Sequence, residues 1–63
     1  MEKVLVLVST YNGEKYINEQ LDSVLAQYGV AVSVLIRDDG STDKTIEILK
    51  SYSARYDNIE YWS

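Results

Sequence analysis

Val4-Leu5-Val6-Leu7-Val8 is an unbroken run of β-branched residues and leucine. A run of that kind fits a strand buried on both faces, as in a parallel sheet covered by helices. Ser9-Thr10-Tyr11-Asn12-Gly13 then ends it with turn formers. From Glu14 to about Tyr28 the period changes to that of a helix. Ile17, Leu21, Val24, Leu25 and Tyr28 fall on one stripe. Asn12 is the expected N-cap and Glu14 belongs to the first turn, where the helix dipole favours negative charge. Gly29 stands where a helix terminates in a left-handed residue.

The same alternation then repeats. Val30 to Arg37 is a second strand-like run, and it ends in Asp38-Asp39-Gly40-Ser41. Ser41 is the expected N-cap of a second helix, with Asp43 in its first turn and Ile46, Leu49, Tyr52 and Tyr56 as its apolar stripe. Asp57-Asn58 makes a turn, and Ile59-Glu60-Tyr61-Trp62 starts a third strand. Strand, helix, strand, helix, strand is an α/β order. It predicts a parallel sheet with right-handed crossovers, the first half of a doubly wound domain.

Length sharpens that expectation. A chain of 63 residues holds one small domain, and at that size only about 60% of the unfolded surface is buried. With no cysteine and no histidine, neither a disulfide framework nor a Cys/His zinc site adds support. The expectation is a single truncated segment, residues 1–63, of a larger domain. Net charge is −4, from ten acidic and six basic residues, which argues against a nucleic-acid partner. The longest apolar run is far short of the roughly 20 residues that span a membrane. The expected setting is soluble and cytoplasmic.

In an open parallel sheet, ligands bind outside the carboxyl ends of the strands. Two segments lie there: Ser9 to Glu14 and Asp38 to Asp43. Asp38 and Asp39 could bind a metal, accept hydrogen bonds from a ligand, or cap the next helix. Neighbouring strand residues point to opposite faces, so one carboxylate is expected to face the crevice while the other holds the loop. Tyr11 suits either packing beside the first helix or stacking on a base. Glu14 lies at the crevice rim. Arg37 is the economical partner of nearby carboxylates. Neither G-x-G-x-x-G nor G-x-x-x-x-G-K-[ST] occurs, so phosphate binding of those two types is not supported. With no histidine or cysteine, catalysis would rest on carboxylates.

Three blocks, Val6 to Ile17, Leu21 to Gln27 and Arg37 to Thr45, resemble the opening of family 2 glycosyltransferases of the GT-A fold. The wording "RDDGSTD" is similar to bacterial cell-surface polysaccharide enzymes, including rhamnosyltransferases. The resemblance implies a Rossmann-like βαβαβ half of a GT-A sheet and a site for the nucleotide of a UDP- or dTDP-sugar. It places Tyr11 against the base, gives Asp39 the imide N–H, and puts Ser9 in the same pocket; Glu14 at the crevice rim and Asp38 at the strand end complete the set of candidate donor-site residues. Such enzymes use Mg²⁺ or Mn²⁺ on an Asp-x-Asp motif, and no D-x-D occurs here. Metal site, catalytic base and acceptor site are therefore expected beyond Ser63, leaving donor binding without turnover.

Two other classes stay open at this stage. A receiver-like signalling domain also carries paired aspartates at a strand end and binds Mg²⁺, but its pair follows the first strand. A non-catalytic remnant would associate with copies of itself through an exposed sheet edge or bare apolar face. A homo-oligomer is the expected state.

Overall fold

A computed structural model describes residues 3–63. Strand β1 (Val4–Thr10) leads to helix α1 (Ile17–Tyr28), strand β2 (Val32–Asp38), helix α2 (Thr45–Arg55) and strand β3 (Ile59–Trp62). The strands form one sheet in the order β1-β2-β3, and both pairings are parallel. The α/β order expected from the alternation of periods is the order observed.

The register brings Val4 opposite Val32 and Thr10 opposite Asp38, so β1 and β2 end level. Val32, Val34 and Ile36 of β2 point to one side, where Ile17 and Leu21 of α1, Leu49 and Tyr52 of α2 and Ile59 of β3 complete the core. Two crossovers of the same hand between sequential neighbours put both helices on this one face. Tyr52 is buried, and its hydroxyl donates to the Asn18 carbonyl at 3.2 Å and to the Asp22 carboxylate. Burial, reinforced by that neighbouring anion, pushes the phenol up to about 12.

Several local expectations are corrected. Among the described residues the run Val4–Val8 is not covered on both sides: Leu5 and Leu7 remain 60% and 71% exposed, because both helices occupy the other face. Helix α1 begins at Ile17 rather than Glu14, after a turn in which the Gly13 carbonyl accepts from the N–H groups of both Tyr16 and Ile17. Asn12 is not its N-cap. Asn12 adopts the left-handed region, φ 50°, and spends its side-chain oxygen on the Thr42 N–H. Strand β2 starts at Val32, since Gly29–Ala31 forms a single 3₁₀ turn that leaves Val30 exposed. Ser41 does not cap α2 either. Asp43 accepts from the Thr45 N–H at 2.9 Å, while the Ser41 hydroxyl turns back to Asp38. Gly29 does end α1 with positive φ, 58°, the geometry that favours glycine. No helix among the described residues is long and apolar enough to cross a membrane.

Candidate functional site

The level ends of β1 and β2 carry the two segments singled out above. The Asp39 N–H donates to the Thr10 carbonyl at 2.9 Å, extending the parallel ladder one step past β2. Tyr11 and Asp39 therefore leave the sheet side by side. The connection is reinforced by two relays of the same design. The Asn12 N–H donates to the Ser41 hydroxyl, which donates to Asp38. The Gly13 N–H donates to the Thr45 hydroxyl, which donates to Asp43. In each, a hydroxyl passes a backbone donor from the first loop to a carboxylate of the second.

Asp38 is 3% exposed and lies on the helix side of the sheet. It accepts from the Thr10 hydroxyl at 2.7 Å, the Gly40 N–H at 3.1 Å, the Ser41 N–H at 2.8 Å and the Ser41 hydroxyl. Burial pushes this carboxyl upward, but the donors from Ser41, Thr10 and Gly40 outweigh it and hold the group below its ordinary 3.8. Asp43 behaves alike: desolvation raises it, and hydrogen bonds from Thr45 and the Glu14 N–H lower it further. No buried side-chain polar atom among the described residues lacks a partner.

The direction of those shifts sets an acid limit. The folded carboxyls titrate below their unfolded values, so the unfolded chain binds more protons in that window and stability falls as pH falls. The contribution is complete above the unfolded values and is lost as pH drops through about 4 and below. Circular dichroism across an acid titration should show unfolding confined to that region. Asp43→Asn should make the loss of stability with falling pH shallower.

Asp39 lies on the other side of the strand end. Its carboxylate meets the Arg37 guanidinium, Nε to Oδ1 3.3 Å, with both side chains more than half exposed. Ser9 faces Arg37 across the β1–β2 pair, and Trp62 faces it across β2–β3. Ser9, Arg37, Trp62, Leu7 and Leu35 line a hollow on the uncovered face. Tyr11 is 60% exposed. Glu14 is exposed, and its backbone N–H donates to Asp43 at 3.1 Å. The structure thus gathers Ser9 and Asp39 around Arg37, sets Tyr11 beside Asp39, buries Asp38 behind them and ties Glu14 to the second relay. The bridging roles of Asn12, Ser41 and Thr45 escaped sequence reasoning, which assigned Asn12 and Ser41 to local capping. The signal available was two loops rich in Ser, Thr, Asn and Asp at the same sheet edge.

A divalent metal does not fit these residues. Among the described residues no group of three or more Asp, Glu, His or Cys could hold an ion. Asp38 is filled by protein donors and Asp39 is paired with a cation.

Comparison with known proteins agrees with this architecture. Residues 5–63 match the family model of glycosyl transferase family 2. An uncharacterized glycosyltransferase of Mycoplasma pneumoniae is 48% identical over 89% of this chain and 19% of its own length. The dTDP-rhamnosyl transferase RfbG of Shigella flexneri is 44% identical over 82% of this chain and 18% of its own. Glycosyltransferase GlyA of Streptococcus pneumoniae is 37% identical over 95% and 9%. The chain thus spans at most about a fifth of the length of these relatives. With the parallel βαβαβ order and the family model agreeing over nearly all its residues, the chain belongs to glycosyl transferase family 2.

Proposed function

We propose that this chain forms the nucleoside-binding part of a donor site for a UDP- or dTDP-sugar. The complete enzyme would transfer that sugar to a cell-surface polysaccharide acceptor in the cytoplasm. The observation that carries the reading is that Asp39, held by its N–H on the Thr10 carbonyl, and Tyr11 follow directly on the level ends of β2 and β1. An exposed carboxylate there suits an imide N–H, and an exposed aromatic face suits the base. Ser9 lines the approach, and Glu14 borders it. Asp38 serves the site from behind, by holding the loop that carries Asp39. The relative named a dTDP-rhamnosyl transferase supports a thymidine or uridine donor. Transfer itself, and the Mg²⁺ or Mn²⁺ that the family generally uses, is assigned to the complete enzyme rather than to these residues.

Tyr11 tests the reading. Tyr11→Phe keeps the ring, so UDP affinity should hold within about twofold. Tyr11→Ala removes a base-stacking surface worth about 1–3 kcal/mol, a loss of about fivefold to 150-fold in Kd. Isothermal titration or NMR line shapes would read it. Equal affinities for the alanine and phenylalanine variants would remove Tyr11 from the site.

We also propose that, as a 63-residue chain, the protein pairs with a second copy through an exposed sheet edge or through the Leu5 end of its uncovered face, where Leu5 is 60% exposed, away from Arg37 and Asp39. Sedimentation equilibrium should find dimers at high protein concentration. A monomer throughout would contradict this.

A further inference from the structure

The Arg37–Asp39 pair offers more than a carboxylate. It rests on the base-binding reading above and deepens it. Arg37 contributes Nε to the contact with one carboxylate oxygen of Asp39, at 3.3 Å. The terminal guanidinium nitrogens and the second Asp39 oxygen are thus available for a ligand. Both side chains are largely exposed, 67% and 54%, at the carboxyl end of β2. Alternation along β2 puts them on the same side, with Ser9 opposite Arg37 and away from the filled Asp38.

A donor fixed beside an acceptor is a pattern that a base edge either matches or does not. Uracil presents a carbonyl, an N–H and a second carbonyl along its pairing edge. Of its two carbonyls, O2 is crowded by the ribose on N1, so a guanidinium at the edge meets O4. We infer that Arg37 is a specificity-determining residue, its guanidinium donating to O4 of the pyrimidine while Asp39 accepts the N3–H. Thymine carries the same O4 and N3–H, so the pair accepts both donor classes alike. Cytosine reverses both groups: an amino group faces Arg37 and a ring lone pair faces Asp39. Two unlike contacts then oppose each other where two like contacts joined, which is how a polar site rejects a near-isostere.

The competing role for an exposed arginine near a nucleotide is attraction of the diphosphate, which would be indifferent to the base. The test is the affinity of the chain, and of its Arg37→Ala and Asp39→Ala variants, for UDP and CDP by NMR titration. Arg37 is exposed, so Arg37→Ala should keep the dispersed amide spectrum of the parent chain. The expected result is a UDP affinity lower by about tenfold with CDP unchanged or improved, so that the preference for uridine shrinks by at least that factor. An equal loss for UDP and CDP would make Arg37 a phosphate contact and overturn the inference. So would no change in either while Asp39→Ala still weakens UDP. If Asp39→Ala also leaves UDP untouched, the base-binding reading itself fails, and the Arg37 inference falls with it.

Discussion

Replacing Asp38 by alanine should leave the chain unfolded at 25 °C. Four hydrogen bonds converge on this buried carboxylate from Thr10, Gly40 and Ser41, and the Ser41 hydroxyl links it onward to the Asn12 N–H. Alanine strands two backbone N–H groups and two hydroxyls at the junction of both loops. The hydroxyls can turn toward other acceptors; the N–H groups cannot. Losing hydrogen bonds to a charged acceptor and leaving their donors unmet costs about 3–5 kcal/mol in total. A chain of this size has about 3–9 kcal/mol altogether, and small domains lie toward the low end. Asp38→Asn keeps one oxygen for the Gly40 and Ser41 N–H groups, and the two hydroxyls can accept from its amide. It should fold, with a loss of about 1–2 kcal/mol. Urea or thermal unfolding followed by circular dichroism separates the cases. An alanine variant melting within a few degrees of the parent would mean that the relay contributes little.

Asp39→Ala should behave in the opposite way. Its ion pair with Arg37 is exposed, and such pairs contribute only about 0–1 kcal/mol. Stability should be nearly unchanged. Binding should not be. A charge-assisted hydrogen bond contributes about 1.5–3 kcal/mol, and partial exposure keeps this one at the lower end, so UDP should bind about tenfold more weakly. On the proposed reading, the two adjacent aspartates divide fold and ligand between them. Alternation along the strand end is the cause: one side chain turns to the helices and the other away. Unchanged UDP affinity in the Asp39 variant would remove the central residue of the site.

Most of the architecture was legible in the residues because periodicity reports it directly. Val4–Val8 and the stripe from Ile17 to Leu25 could belong to little else than a strand and a helix. Which faces would be covered was not legible in the same way. Leu5 and Leu7 have the composition of a doubly buried strand, yet helix placement depends on crossover direction, and both crossovers reach one side. The division between Asp38 and Asp39 followed from strand alternation. The partners of Asn12, Ser41 and Thr45 did not. Short polar side chains bond a local backbone donor or one 29 to 32 residues away equally well, and the sequence pattern around them is the same in both cases. The Arg37–Asp39 pair lies between these extremes: two residues apart on one strand side, it is a pairing that spacing allows and geometry selects.

The claim that joins these results is that the carboxyl ends of β1 and β2 form a base-binding half-site. An amide-resolved ¹⁵N–¹H NMR titration of the chain with UDP tests it most directly. Saturable shifts are expected at Ser9, Tyr11, Arg37 and Asp39 to Ser41, with the core amides of α1 and α2 unmoved. A dispersed spectrum with no shifts there, or with shifts instead along the shallow hollow of Tyr16 and the α1 residues Glu19, Gln20, Ser23 and Val24, would contradict it.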